Sequence, residues 1–232
     1  MPLLEADTIG KAYRGRPVLT TASLRAYPGA VTALCGRNGA GKSTLLAIAA
    51  GWRQADTGVV RFDGVTWVRP SLPLLAERGV FYLPDRAILS PAIPVGRQLA
   101  VVRRRFRSAA DVGSIAESLG IASRLDLTPP RLSGGETRRA EIALACVRRP
   151  RCLLADEPYR GTSPLDAEAI TRAFRGLAAD GCAIVITGHE VEMLFDAADS
   201  VAWCAGGTIC EFPSVAAARE DWRFQREYLG EV

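Results

Sequence analysis

Apolar residues along this chain follow two patterns, which alternate from one segment to the next. Short apolar runs bounded by glycine, proline or polar residues predict strands, and these runs are residues 18–26, 30–35, 59–62, 79–83, 152–155, 182–187 and 200–204. Apolar residues spaced three and four apart predict helices, and this spacing covers residues 42–50, 95–106, 111–119, 134–147 and 163–179. The alternation of strands with helices predicts an α/β fold with a mostly parallel sheet.

The middle of the chain differs from its flanks, because the elements predicted between about Pro91 and Pro150 are all helical. We therefore expect a single domain, in which residues 1–90 and 150–232 form the sheet-containing core and residues 91–149 form an inserted helical subdomain. One helix start is especially clear. Ser163 suits the N-cap, Pro164 suits the first helical position, and Asp166 brings an acid to the positive helix end.

Composition narrows the class of protein. The 232 residues are 48% hydrophobic and 23% charged, which suits one globular domain and excludes disordered and collagen-like chains. The net charge of +4 is too small to indicate nucleic-acid binding by itself. No apolar segment approaches the roughly 18 residues that a membrane span needs, and no signal peptide is readable. We therefore expect any work on a membrane to be done from outside the bilayer.

The most specific motif is a glycine-rich loop that follows a predicted strand and opens a helix. It fits the pattern GxxxxGK[ST] and comprises Gly36, Arg37, Asn38, Gly39, Ala40, Gly41, Lys42, Ser43 and Thr44. The glycines let backbone N–H groups point at phosphate oxygens, Lys42 supplies a full charge, and Ser43 offers a hydroxyl to Mg²⁺. The loop predicts a nucleotide site; a glycine-rich turn without a ligand is the weaker alternative, given the strand before it and the helix after it.

Two acids, Asp156 and Glu157, end the apolar run at 152–155. Ligands of open α/β sheets bind at the carboxyl ends of the strands. Beside a phosphate loop, Asp156 would hold Mg²⁺, and Glu157 would orient or deprotonate an attacking water. Two solvated acids would be a fair interpretation of this segment alone, but the phosphate loop elsewhere in the chain favours the magnesium site.

The segment Leu132-Ser133-Gly134-Gly135-Glu136 resembles the LSGGQ/E signature of ATP-binding cassette (ABC) ATPases. It lies between the phosphate loop and the acidic strand end and opens a helix. The resemblance implies a P-loop NTPase (RecA-like) fold with an antiparallel β subdomain and a helical subdomain that carries the signature. It also implies that the signature residues bind the γ-phosphate of ATP held by a second chain, so that two chains pack head to tail around two ATP molecules.

Further residues match the family in order along the chain. Tyr13 resembles the aromatic residue that stacks on adenine, and His189, the only histidine of the chain, resembles the residue that contacts the γ-phosphate. On this resemblance the expected catalytic residues are Lys42, Glu157 and His189.

Two positions depart from the family pattern. Asp85 stands where the family usually has glutamine; it can ligate Mg²⁺ together with Ser43 and Asp156, but it is shorter and adds a negative charge. Ser163 stands where the family usually has an aspartate that crosses the dimer interface. These departures put the hydrolysis rate and the communication between the two sites in question.

The resemblance implies the ATP-binding, ATP-hydrolysing subunit of a bacterial ABC transporter, with ATP and Mg²⁺ as cofactors. The implied partners are a second ABC ATPase chain, as a homodimer, and integral membrane subunits, with no nucleic acid. We expect a cytoplasmic chain, peripheral on the inner face of the cell membrane; six cysteines without a CxxC pair agree with a reducing cytosol. Residues 132–146 and the tail 226–231 resemble lipopolysaccharide-export and branched-chain amino acid transporter ATPases in particular.

Two alternative functions remain open at this point. One is a regulatory cassette with weak hydrolysis, for which Asp85 and Ser163 are the motivation. The other is a soluble ABC-type ATPase that works on nucleic acid or ribosomes, although the segment between Asp85 and Ser133 is too short for the coiled-coil insertion such relatives carry. We expect most of the arginines at 103–107, 138–139 and 148–151 to lie on solvated helix faces. The functional alternative is that they bind an anionic membrane surface or an acidic partner.

Overall fold

The computed structural model describes residues 1–230 as an α/β fold built on two β-sheets. The strands are β1 (Leu4–Tyr13), β2 (Arg16–Ala26), β3 (Val31–Cys35), β4 (Thr57–Phe62), β5 (Val65–Trp67), β6 (Val80–Leu83), β7 (Cys152–Ala155), β8 (Ala183–Thr187), β9 (Ser200–Ala205) and β10 (Thr208–Phe212). The helices are α1 (Lys42–Ala49), α2 (Leu72–Glu77), α3 (Val95–Arg105), α4 (Val112–Ser118), α5 (Gly134–Arg148), α6 (Pro164–Ala179), α7 (Val191–Ala197), α8 (Val215–Glu220) and α9 (Trp222–Phe224). Short 3₁₀ turns lie at Ala122–Arg124 and Pro129–Arg131, and a π-helical turn lies at Gln225–Leu229. Glu231, the last residue of the tail resemblance, lies outside the described residues.

The larger sheet has six strands in the order β10-β9-β3-β8-β7-β6. All neighbours are parallel except β10, which pairs antiparallel with β9. The central strands β3, β7 and β8 are buried along their whole length, which explains their unbroken apolar sequence. The mostly parallel sheet predicted from the sequence is therefore present, and the carboxyl ends of β3, β8 and β7 lie side by side.

The smaller sheet is antiparallel, with the order β2-β1-β4-β5. Helix α1 lies between the two sheets, because Leu45 and Ile48 pack in one cluster with Leu4 and Ile9 of β1 and with Leu154 of β7. The apolar pattern did not predict β1. Register shifts interrupt its pairing between Ala6 and Ile9, so its side chains do not alternate regularly.

Helices cover the other face of the larger sheet. Leu99 of α3, Val147 of α5 and Phe174 of α6 share a buried cluster with Leu153 and Ile184 of the sheet. The predicted helices at 95–106, 111–119, 134–147 and 163–179 correspond to α3, α4, α5 and α6. Among residues 1–230, no helix combines the length and the apolarity needed to cross a bilayer.

The expectation of solvated arginines is right for Arg103, Arg104, Arg105 and Arg107, which are exposed, and wrong for Arg138 and Arg148, which are buried. Arg148 donates to the carbonyl oxygens of Val80, at 2.6 Å, and Ala76. Its guanidinium lies 4.4 Å from the ring centroid of Phe106, and burial lowers its pKa to about 10. The long arginine side chain reaches across from α5 to carbonyl groups of α2 and β6, which lie far from it in the sequence. Its burial is therefore an effect of tertiary packing.

Candidate nucleotide site

The phosphate loop leaves the carboxyl end of β3 and curls tightly before α1. Gly36, Gly39 and Gly41 have φ angles of 147°, 80° and 105°, a region that favours glycine. A Cβ atom on Gly36 would lie 2.4 Å from the carbonyl oxygen of Cys204, and one on Gly41 would lie 2.7 Å from a methyl carbon of Leu19. Backbone conformation therefore favours glycine at all three positions, and close packing requires it at Gly36 and Gly41.

Helix α1 begins at Lys42, as predicted, with Gly41 at the N-cap and no side-chain cap. Its first backbone N–H groups have no partner within the helix and face the loop, which favours an anion there. Lys42 is buried, and its ammonium donates to the carbonyl oxygens of Gly36 at 2.7 Å and Arg37 at 3.3 Å. The positive charge is thereby held over the loop.

Asp156 lies at the end of β7 and is almost completely buried, with 1% exposure. Its Oδ1 accepts hydrogen bonds from the hydroxyl of Ser43, at 3.0 Å, and from the hydroxyl of Thr187, at 2.6 Å. The Thr187 hydroxyl in turn accepts from the backbone N–H of Glu157, at 3.0 Å. Ser43 thus ties the phosphate loop to the acidic strand end, and Thr187 ties the end of β8 to it. Sequence reasoning missed Thr187, although a polar residue that closes an apolar strand is a signal.

Glu157 and His189 form the second pair of the site. His189 Nε2 lies 3.0 Å from Glu157 Oε2. Burial raises the pKa of Glu157, while His189 and Lys42 oppose the shift. The φ of Glu157 is 52°, an uncommon conformation for a side chain of this size. Such strained residues concentrate at functional sites; Asp63 shares this conformation, with φ 51°, but of these two acids only Glu157 lines the cavity of the phosphate loop.

A single cavity of about 410 Å³ joins most of the predicted site. Its lining residues are Tyr13, Val18, Asn38, Gly39, Ala40, Gly41, Lys42, Ser43, Thr44, Asp85, Glu157, Arg160 and His189. Tyr13 stands at its rim at the end of β1, partly exposed, with the ammonium of Lys11 5.5 Å from its ring centroid. Val18 and Arg160 belong to the cavity and were not expected from the sequence.

The signature segment opens α5, as predicted, through a capping box. The Ser133 hydroxyl accepts from the backbone N–H of Glu136 at 3.2 Å, and the Glu136 carboxylate accepts from the backbone N–H of Ser133 at 2.8 Å. Glu136 also pairs with Arg124 at 2.7 Å, and that hydrogen bond lowers its pKa to about 2. Within the described chain, the signature residues do not line the cavity of the phosphate loop; Gly134 lines a neighbouring cavity of about 350 Å³ that shares Asp85, Glu157 and Arg160 with it.

A buried ion pair stands behind the acidic strand end. Arg138 of α5 lies 2.9 Å from Glu141 and donates to the carbonyl oxygens of Asp156 at 2.5 Å and Pro84 at 3.1 Å. Glu141 accepts from the backbone N–H of Ile88 at 2.9 Å. The pair therefore connects the signature helix with the segments that follow β7 and β6. The run of arginines in the sequence gave no indication of it.

The two positions that depart from the family pattern are both engaged in contacts. Asp85 follows β6, and its carboxylate lies 3.9 Å from the guanidinium of Arg160. Ser163 caps α6 in a capping box with Asp166, as the sequence predicted, and Asp166 pairs with Arg139 of the signature helix at 2.8 Å. The loop after the acidic strand is thus anchored to α5 within one chain.

A phosphate loop after the central strand of a parallel sheet, facing an acidic strand end, defines a P-loop nucleoside triphosphatase. The sequence model of the ABC transporter family matches residues 19–160. The chain belongs to the ABC transporter family, within its class of ATP-binding subunits that hydrolyse ATP. The family and the fold class expected from the signature are thereby confirmed, and neither a regulatory cassette nor a soluble ATPase outside transport is favoured.

Individual relatives agree with this assignment over nearly the whole chain. The chain is 30% identical to the lipopolysaccharide export system ATP-binding protein LptB of Haemophilus influenzae, over 100% of its own length and 98% of the relative's. It is 31% identical to LptB of Escherichia coli K12, with the same coverage. Among solved structures, the ADP conformation of an ATP-binding cassette of an ABC transporter superposes with a TM-score of 0.84 at 24% identity, covering both chains completely.

Proposed function

We propose that this chain hydrolyses Mg-ATP at the cavity beside the phosphate loop and so drives a transporter whose membrane-spanning subunits are separate chains. The observation that carries the proposal is the continuous set of contacts from Ser43 through Asp156 and Thr187 to Glu157 and His189. Ser43, Glu157 and His189 line one cavity, and the buried Asp156 and Thr187 connect them behind its wall, so the groups proposed to bind phosphate, hold the metal and activate water are joined at one place.

The donor set fits a magnesium ion. The hydroxyl of Ser43 and the carboxylate of Asp156 are 3.0 Å apart, and Asp85 lines the same cavity as Ser43. Magnesium takes oxygen ligands, commonly one or two from protein, and completes its shell with phosphate and water. The described residues contain no cluster of three or more His, Cys, Asp or Glu side chains that could hold a metal ion. The bound ion would neutralise phosphate charge.

Each of the chain's own groups has a proposed role in phosphoryl transfer. Lys42 and the N–H groups of the loop and α1 bind phosphate oxygens, and Tyr13 stacks on the base. Glu157 orients or deprotonates the attacking water, and its raised pKa makes it a stronger base than an ordinary glutamate. His189, whose Nε2 lies 3.0 Å from Glu157 Oε2, contacts the terminal phosphate and keeps the carboxylate oriented.

Two copies of the chain are proposed to complete the site. The signature residues Ser133, Gly134, Gly135 and Glu136 lie outside the phosphate-loop cavity of their own chain, so a second chain would bring its signature to the bound γ-phosphate. We further propose that residues 91–149 act as the helical subdomain that transmits this closure to membrane subunits, with residues 1–90 and 150–232 as the nucleotide-binding core. The complex would sit on the inner, cytoplasmic face of the membrane.

The experiment that tests the function is Mg-ATP hydrolysis by the purified chain over a range of protein concentrations. A rate per chain that rises with concentration, together with loss of binding in Lys42→Ala, supports the paired site. If hydrolysis persists in Lys42→Ala and shows no dependence on concentration, the proposal is wrong.

A further inference from the structure

Arg160 has no part in the scheme above, although it lines the nucleotide cavity and forms an ion pair there with Asp85. The guanidinium of Arg160 and the carboxylate of Asp85 approach to 3.9 Å, with side-chain exposures of 66% and 53%. Both side chains line the cavity together with Lys42 and Ser43. The pair therefore stands in the cavity wall that a bound nucleotide would face.

The backbone fixes Arg160 close to the reacting end of the cavity. Its N–H donates to the carbonyl oxygen of Glu157 at 3.1 Å, which closes a tight turn directly after the acidic strand end. The charge of Arg160 also counters the rise in the pKa of Glu157, to which burial contributes most. The guanidinium thus acts electrostatically on the proposed base.

The charges of the cavity explain why such a pair is useful. Asp85 and Glu157 both bring negative charge to a cavity proposed to bind polyphosphate. These carboxylates would repel the phosphate groups, which are also negative. Arg160 offsets the charge of Asp85. Because an exposed ion pair at this distance is weak, the guanidinium can exchange Asp85 for a phosphate oxygen, which offers it stronger charge-assisted hydrogen bonds.

We propose that Arg160 is a further nucleotide-binding residue, which contacts the terminal phosphates from within the same chain, and that Asp85 holds it beside the phosphate loop. The inference rests on the proposed nucleotide site. It also gives Asp85 a second role. Asp85 stands where the family usually has glutamine, and its additional negative charge is offset by Arg160 of the neighbouring loop.

The test is the affinity for ATP and for ADP, measured by calorimetric titration at low salt in the presence of EDTA, so that magnesium ligation by Asp85 plays no part. Arg160→Ala leaves Asp85 unbalanced, and we expect it to weaken ATP binding roughly fivefold to tenfold and ADP binding less. Asp85→Asn in the Arg160→Ala background removes the repulsion but does not replace the phosphate contact of Arg160, so we expect the affinity to recover only in part. Arg160→Lys retains the charge and should lose little.

The matched control is Arg172→Ala. Arg172 pairs with Glu168 on the surface of α6 at 3.6 Å, with nearly the same exposures of 68% and 66%, but it does not line the nucleotide cavity. Equal effects of Arg160→Ala and Arg172→Ala would overturn the inference, and so would a double variant that binds ATP no better than Arg160→Ala. Failure of the unaltered chain to bind ATP, or undiminished binding by Lys42→Ala, would instead count against the nucleotide site itself.

Discussion

At the scale of single residues, the site depends on groups whose properties come from their surroundings. Glu157 has a raised pKa because it is buried, and it occupies a left-handed backbone conformation. Asp156 is held by two hydroxyl groups and so has a fixed orientation. These environments distinguish two adjacent acids that have the same apolar strand before them, and they support different proposed roles for the two.

We predict that Glu157→Gln abolishes hydrolysis without abolishing nucleotide binding. The amide keeps the size of the side chain but cannot accept a proton, so the loss of a general base should lower the rate roughly 100-fold or more. Single-turnover phosphate release measures the rate, and ATP titration measures binding. Glu168→Gln, on the exposed face of α6, is the control; a Glu157→Gln rate near that of the control would remove Glu157 from its proposed role.

The raised pKa of Glu157 also predicts a pH-dependent change in stability. A carboxyl group whose pKa is higher in the folded chain binds protons more readily when folded, so its charged form is a cost at neutral pH and this cost fades as pH falls. We expect Glu157→Gln to raise the melting temperature at pH 7.5 and this gain to shrink toward pH 4.5. Thermal unfolding followed by circular dichroism at both pH values is the measurement. A gain that grows on acidification would contradict the direction of the pKa shift.

At the scale of elements, helix α5 both presents the signature and supports the ends of two strands of the larger sheet. Its N-terminus presents the signature through a capping box, and its next turn carries the buried Arg138–Glu141 pair, which holds the carbonyl groups at the ends of β7 and β6. A movement of the signature helix would therefore displace the segments that carry Asp156 and Asp85. In the proposed pair of chains, this contact would connect the signature of one site with the acids of the other.

The buried pair gives a stability prediction. Arg138→Met leaves the Glu141 charge buried without its partner, and we expect a loss of about 3–5 kcal/mol in the free energy of unfolding. Arg138→Met combined with Glu141→Leu removes both charges, and we expect it to recover a large part of this loss. Urea unfolding measures both, with Arg103→Met on the exposed part of α3 as the control. A double variant less stable than Arg138→Met would show that the hydrogen bonds outweigh the buried charge.

At the scale of the whole molecule, the signature residues do not line the cavity of the phosphate loop, although Gly134 lines the cavity next to it. In the proposed arrangement a second copy closes the site around ATP, and each composite site would draw on both chains. This arrangement makes a prediction that no single-chain enzyme would satisfy.

We predict that two inactive variants restore activity when mixed. Lys42→Ala disables the phosphate loop, and Gly134→Asp disables the signature; a Cβ at Gly134 meets no atom within 4 Å, so the fold should tolerate it. A mixed dimer keeps one intact composite site, so random pairing should return up to about a quarter of normal ATPase activity. Lys42→Ala mixed with Glu157→Gln is the control, because both residues belong to the same half-site and no intact site forms. Equal rates in the two mixtures would contradict the shared site.

The sequence by itself determined the features that depend on local backbone geometry. Apolar spacing predicted the central strands and the main helices, and the GxxxxGK[ST] pattern predicted the curled loop. Ser163 was predicted as the N-cap of a helix and is the N-cap of α6. Each of these depends on residues within a few positions of one another. The irregular strand β1, by contrast, carries register shifts that erase the alternation on which strand prediction depends.

Only the tertiary structure decided which distant residues meet. Thr187 reaches Asp156, Arg138 reaches the carbonyl of Pro84, and Arg160 reaches Asp85. The sheet order places β8 between β3 and β7, and this order brings together strand ends that are far apart in the chain. Local sequence patterns carry no record of strand order, because it follows from how the apolar faces of all elements pack together. The same packing buries Arg138, which was expected in solvent, and places its guanidinium against the carbonyl group of Asp156 at the acidic strand end.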